Sequence, residues 1–146
     1  MGAQILALHE NDATSADVVY SLGKSGHNVI LAGSFAEAII ILNGPRNVDL
    51  IISDVHLENG GNVFDFLRWV KDHHSKVANI PFVLFGCKPS PFAKHLEDAI
   101  RTSARVIGAA KYIAMDRFDS DDFGKQIDLL LEATRSVPDR GGSNPP

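Results

Sequence analysis

A chain of 146 residues, 45% of them apolar, is long enough to bury one core and too short for two ordinary domains. Its 18 acidic and 14 basic side chains give a net charge of −4, the opposite sign to a duplex-binding domain, so nucleic acid is not an expected partner. No apolar stretch approaches the length of a membrane span, no signal peptide opens the chain, and Met1-Gly2 lacks the myristoylation pattern because Leu6 stands where Ser or Thr is needed. The single Cys87 excludes an internal disulfide and suits a cytoplasmic chain.

Residues Gln4–Leu8 form a short apolar run that reads as the first strand, ending in the polar cluster His9-Glu10-Asn11-Asp12. Asp12 or Thr14 can cap the helix that follows, with Val18, Val19 and Leu22 on one face. Gly26-His27-Asn28 turns the chain into a second strand over 29–32. Ser34 caps a second helix over 35–42, closed by Asn43-Gly44-Pro45. Val48 and Leu50-Ile51-Ile52 lie between turn residues, the mark of a strand covered on both faces, and Asp54 stands where that strand stops.

Val63, Phe66, Leu67 and Val70 recur at helical spacing, giving a third helix to about His73. Pro81 opens a fourth strand over 81–85, where its missing N–H is tolerated. A fourth helix over 92–106, with Leu96, Ala99 and Ile100 inward, ends at Gly108, and 111–114 is the fifth strand. Ser120 caps a last helix with Phe123, Ile127, Leu130 and Leu131 on one stripe. The Gly-, Ser- and Pro-rich residues 137–146 read as a flexible tail, leaving 1–136 as one domain. Strands alternating with helices imply a parallel sheet with helices on both faces.

In such a sheet the ligand crevice lies outside the carboxyl ends of the strands. Asp54 occupies one such end and Glu10 lies just past another. A strand-end aspartate often only caps the next loop, so the rest of the pattern has to decide.

Several marks together resemble the receiver domains of two-component response regulators. They are the acidic cluster after the first strand, Asp54 in LIISDVHL, Pro81 opening the fourth strand, and Gly108-Ala109-Ala110-Lys111-Tyr112 before the fifth. The resemblance runs over residues 4–134. It implies a flavodoxin-like, doubly wound five-stranded parallel sheet of order 2-1-3-4-5 with five helices, the crevice lying between strands one and three. It also implies that Asp54 accepts a phosphoryl group. Two anionic groups meet in that reaction, so a hard cation such as Mg²⁺ has to stand between them. Mg²⁺ takes carboxylate and carbonyl oxygens, phosphate and water. The resemblance assigns Glu10, Asp54 and the main-chain carbonyl of His56 to it. The implied partners are a histidine kinase or phosphotransfer protein, and a downstream protein at the face of helix 4, strand 5 and helix 5. Neither an enzyme activity of its own nor an effector domain after the fifth helix is expected.

The sequence departs from the family pattern at five places. Glu10 is one methylene longer than the usual aspartate, and His9 stands where a second acid is normal. Gly86 takes the place of the hydroxyl residue ending the fourth strand, and Met115-Asp116 that of the Lys-Pro pair ending the fifth. A unit charge at about 4 Å is worth roughly 4 kcal/mol at an effective dielectric near 20, which methionine does not supply. Lys88 and Lys111 are the nearest substitutes, although each reads as a surface lysine. Tyr112 matches the aromatic switch position. The stretch from Gly86 to Met115 is longer than usual by about two helical turns, so the fourth helix is expected to project further along the signalling face. The expected function is a stand-alone atypical receiver accepting phosphate on Asp54. The alternative is a pseudo-receiver that binds proteins without phosphate chemistry.

Three other readings carry less. Asp54-Val55-His56 is similar to the start of the cobalamin motif Asp-x-His-x-x-Gly, but Asn59 holds the glycine's place and that motif follows the first strand. His9, Glu10, Asp54 and His56 have the ligand types of a zinc site, yet no nucleophile accompanies them. Cys87 reads as a small residue packing after a strand.

Overall fold

The computed structural model describes residues 2–9, 12–57, 61–73, 76–87 and 91–142. Its strands are β1 (Gln4–Leu8), β2 (Asn28–Ala32), β3 (Leu50–Asp54), β4 (His56–Leu57), β5 (Gly61–Asn62), β6 (Phe82–Cys87) and β7 (Lys111–Met115). Its helices are α1 (Asp12–Lys24), α2 (Phe35–Asn43), α3 (Val63–Asp72), α4 (Pro91–His95), α5 (Glu97–Ile107) and α6 (Ser120–Gly142), with a 3₁₀ turn over Lys76–Asn79. Five strands form one parallel sheet in the order β2-β1-β3-β6-β7, which is the order 2-1-3-4-5 expected when the sheet strands are counted alone.

Successive side chains of a strand point to opposite faces, so each central strand serves two cores. Leu6, Leu8, Ile51, Phe82 and Leu84 meet Phe35, Ala38, Phe66, Leu67 and Ala104 from α2, α3 and α5 on one side. Ile5, Ala7, Leu50, Ile52, Val83 and Phe85 meet Val18, Leu22, Phe123 and Ile127 from α1 and α6 on the other. This is why the middle strands read as unbroken apolar runs rather than alternating ones.

Polar contacts fix the edges of these layers. The N–H of Gln4 donates to Asp49 Oδ2 at 2.7 Å, and the N–H of Asp49 donates to the Gln4 carbonyl at 2.8 Å. Where β2 begins, the buried Ala3 N–H donates to His27 Nδ1 at 3.0 Å, while His27 Nε2 meets Asp128 Oδ1 of α6 at 2.7 Å. The α1–α6 contact is close at Gly124, where a Cβ would stand 3.3 Å from Ser21 Oγ, and that hydroxyl donates to the Ser120 carbonyl.

Ser34 caps α2 as read from the sequence, its Oγ accepting from the Glu37 N–H, while Glu37 Oε1 accepts from the Gly33 N–H. Gly108 ends α5 with φ of 127°, a backbone conformation that side chains disfavour.

Several expectations are corrected. The fourth helix is two segments, α4 and α5, broken at Leu96; its inward residue is Ala104, whereas Leu96 and Ala99 are exposed and Ile100 is half-buried. Beyond Leu96, Ile100, Ala104 and Ile107 pack against the core. Val19 is exposed rather than sharing the face of Val18 and Leu22, because it lies on the side of α1 turned away from Ser21 and α6. Leu130 is half-buried at the margin of its core. Helix α1 already includes Asp12, so Thr14 sits inside it, and the position that would cap it lies outside the described residues.

Ser120 does not cap the last helix. Asp119 does, its Oδ1 accepting from the Asp122 N–H at 3.0 Å and its carbonyl from the Phe123 N–H at 2.9 Å, because a carboxylate one residue earlier reaches the free N–H groups. The helix backbone runs through Gly142. The β4–β5 pair had no signal in the sequence.

Candidate functional site

The carboxyl ends of β1 and β3 lie side by side, with Leu8 paired to Ser53, so the next residues, His9 and Asp54, face each other across the crevice. His9 Nδ1 and Asp54 Oδ1 are 2.9 Å apart; the histidine side chain is fully buried and the aspartate side chain is 18% exposed. A carboxylate only accepts, so Nδ1 carries the hydrogen. The other ring nitrogen, Nε2, is buried and has no hydrogen-bond partner among the described residues. The ring stands edge-on to Phe85, centroids 5.9 Å apart at 87°. Phe85 is itself fixed by Phe123 at 4.8 Å and Phe118 at 6.0 Å, and it pairs with Asp54 in the sheet.

The neighbouring strand ends hold the other singled-out residues. Gly86 lies in β6 opposite Ala114, and a Cβ built on it would stand 3.6 Å from the Tyr112 hydroxyl. Tyr112 is therefore buried with its hydroxyl over Gly86. The Arg101 guanidinium lies 4.9 Å from its ring centre, and Arg101 Nη1 donates to the Tyr112 carbonyl at 3.3 Å. Burial chiefly, with the Glu97 charge adding and Arg101 opposing, pushes the Tyr112 phenol above its ordinary value. Met115 is buried, its sulfur accepting from the Asp119 N–H at 3.5 Å. Asp116, beside it, pairs with Lys94 of α4 on the surface.

Lys111 does not replace the missing ammonium. It is exposed at the start of β7, opposite Val83, at the far end of the strand from Met115. Lys88 lies outside the described residues, as does Glu10. His56 opens β4, paired with Asn62.

Of the residues assigned to Mg²⁺, only Asp54 and the His56 backbone lie among the described residues. That ion asks for several oxygen ligands in near-octahedral order. Among the described residues no three His, Cys, Asp or Glu side chains gather to hold a metal ion, and the carboxylate at the crevice accepts a hydrogen bond from an imidazole. The hydrogen-bonded His9–Asp54 pair was not legible in advance. Its one signal is a histidine directly following an apolar strand that neighbours an aspartate-ended one.

The architecture is the one found in receiver domains of response regulators. NtrX from Brucella abortus superposes with a TM-score of 0.83 at 21% identity over 99% of this chain, which spans 30% of that protein. The chemotaxis response regulator CheY4 of Vibrio cholerae gives 0.72 at 21% identity, covering 89% of this chain and 99% of its own. The receiver domain of a signal-transduction histidine kinase from Syntrophus aciditrophicus gives 0.72 at 21% identity, covering 90% and 92%. No protein-family model and no curated protein matches the sequence, and at these identities the likeness is one of fold. The resemblance read from the sequence is thus met in the fold of the chain. No helix among the described residues is long and apolar enough to cross a membrane.

Proposed function

We propose that this chain serves two-component signalling as a pseudo-receiver, a stand-alone protein-binding module formed by residues 1–136. The observation that carries this reading is the set of side chains at the carboxyl ends of β3, β6 and β7. Asp54 is accompanied there by Gly86, which has no hydroxyl, and by Met115, which has no ammonium. Phosphoryl transfer is catalysed almost entirely by position and by charge set against the developing negative charge. Neither is supplied by glycine or methionine. Function then rests on contacts with proteins: a histidine kinase or phosphotransfer protein upstream, and a downstream cytoplasmic partner at the face of α4, α5, β7 and α6. Helix α5 exposes Val106 at 80% and carries Arg101, whose guanidinium lies over the Tyr112 ring.

A second reading keeps Asp54 as phosphoacceptor, with Mg²⁺ held by Glu10, Asp54 and the His56 carbonyl. The position of Asp54 at the end of β3, with part of its side chain open to solvent, favours it. Incubation with acetyl phosphate and Mg²⁺ followed by intact-mass measurement separates the two. The pseudo-receiver gains no phosphate. An adduct formed by the wild type and missing from Asp54→Asn establishes the phosphoacceptor instead.

A further inference from the structure

We infer that His9 is the residue that keeps divalent cations out of the crevice, by holding Asp54 itself. It acts as a positioning residue and an internal substitute for a metal. Three observations support this. The Nδ1–H donates directly to Asp54 Oδ1 at 2.9 Å, so one oxygen of the carboxylate is engaged by an imidazole. The ring has no freedom to swing away: its side chain is fully buried, and it stands against a Phe85 held by two further aromatic rings. A displaced ring would leave both of its nitrogens buried without described partners, since Nε2 already has none. Finally, the side chain at this place offers nitrogen and no oxygen. Hard Mg²⁺ favours oxygen, and imidazole suits transition metals.

The inference stands on this geometry and goes beyond the pseudo-receiver reading. Its consequence is that the β1–β3 crevice keeps one arrangement whether or not cations are present. It also makes one side chain the determinant of cation binding.

The test uses the full chain, ¹⁵N-labelled, with Mn²⁺ as a paramagnetic probe. Selective broadening of the Ser53, Asp54 and Val55 amide signals reports an ion at the crevice. Wild type shows no selective broadening at millimolar Mn²⁺. His9→Asp shows saturable broadening at Mn²⁺ concentrations lower by about tenfold or more, the scale on which residues supporting a metal site act. His9→Asn, which keeps a donor without adding charge, behaves as wild type.

Selective broadening of the wild type at the same concentrations as His9→Asp overturns the inference, and so does a lack of gain in His9→Asp. Because a second buried carboxylate can unfold the variant, the wild type provides an independent readout. Excess Mg²⁺ leaves the His9 ring-nitrogen resonances unmoved, and a saturable shift refutes the latch. Wild-type cation binding without an acetyl-phosphate adduct sinks this inference alone. An adduct sinks the pseudo-receiver reading, whatever His9 does.

Discussion

Replacing His27 tests whether one imidazole joins the start of the sheet to the last helix. A main-chain N–H can only donate, so Nδ1, which receives it from Ala3, is the bare nitrogen, and Nε2 carries the hydrogen that goes to Asp128. His27→Ala removes both bonds. Ala3 is 1% exposed, so its N–H is left buried and unsatisfied, at a cost of about 1–3 kcal/mol. The Asp128 side chain is 46% exposed and recovers water, so that half contributes less than about 1 kcal/mol.

The sum, about 1–4 kcal/mol, is readable by urea denaturation as a midpoint lowered by about 0.5–2 M. Trp69, the only tryptophan, reports the transition through its packing on Phe66 and His73. Two further variants divide the effect. Asparagine places an amide oxygen where Nδ1 was and keeps the Ala3 bond; glutamine places its nitrogen near Nε2 and keeps the Asp128 bond. The buried donor is the expensive one, so His27→Asn should be more stable than His27→Gln. Equal stability, or a loss under about 0.5 kcal/mol for alanine, refutes the assignment.

Other residues give narrower tests. Phe123→Ala should cost about 3–5 kcal/mol, because the ring is fully buried between Phe85 and Phe118; thermal denaturation checks it. Gly86→Ser should change stability by less than about 1 kcal/mol, since its Cβ meets the Tyr112 hydroxyl at an ordinary 3.6 Å, and a larger loss in urea would show the Tyr112 ring to be packed against Gly86 more tightly than this. Tyr112 holds its proton above pH 10 in the folded chain, so the folded state binds the extra proton and stability falls as pH rises past 10. Absorbance at alkaline pH should show a late step that Tyr112→Phe abolishes. Arg101→Gln should move that step to higher pH, because the opposing positive charge is lost.

The sheet was legible because β1, β3 and β6 are covered on both faces, and an apolar run between turn residues leaves few other readings. Ser34 was legible as a cap because its partners lie within four residues. Asp119 was missed because Ser120, an equally good cap by type, follows it directly. The break at Leu96 was missed because its apolar side chain fits a continuous helical stripe, and only the packing shows that stripe beginning later. At the site, the residues that differ from the receiver pattern were visible as letters, but what they do with one another was not. His9 with Asp54, Tyr112 over Gly86 and His27 with Asp128 join residues 45, 26 and 101 positions apart, at separations where no local spacing carries a signal.

Strands covered on both faces lack the usual device for fixing alignment, since sliding one past another exposes no apolar side chain to water. Here β1 and β3 are instead measured off by a polar clasp at each end. Gln4 engages Asp49 below and His9 engages Asp54 above, the same interval in both strands. Inserting or deleting a single residue in either strand releases one clasp or the other. The acidic crevice residue thus also serves as a ruler mark for the sheet's central pair.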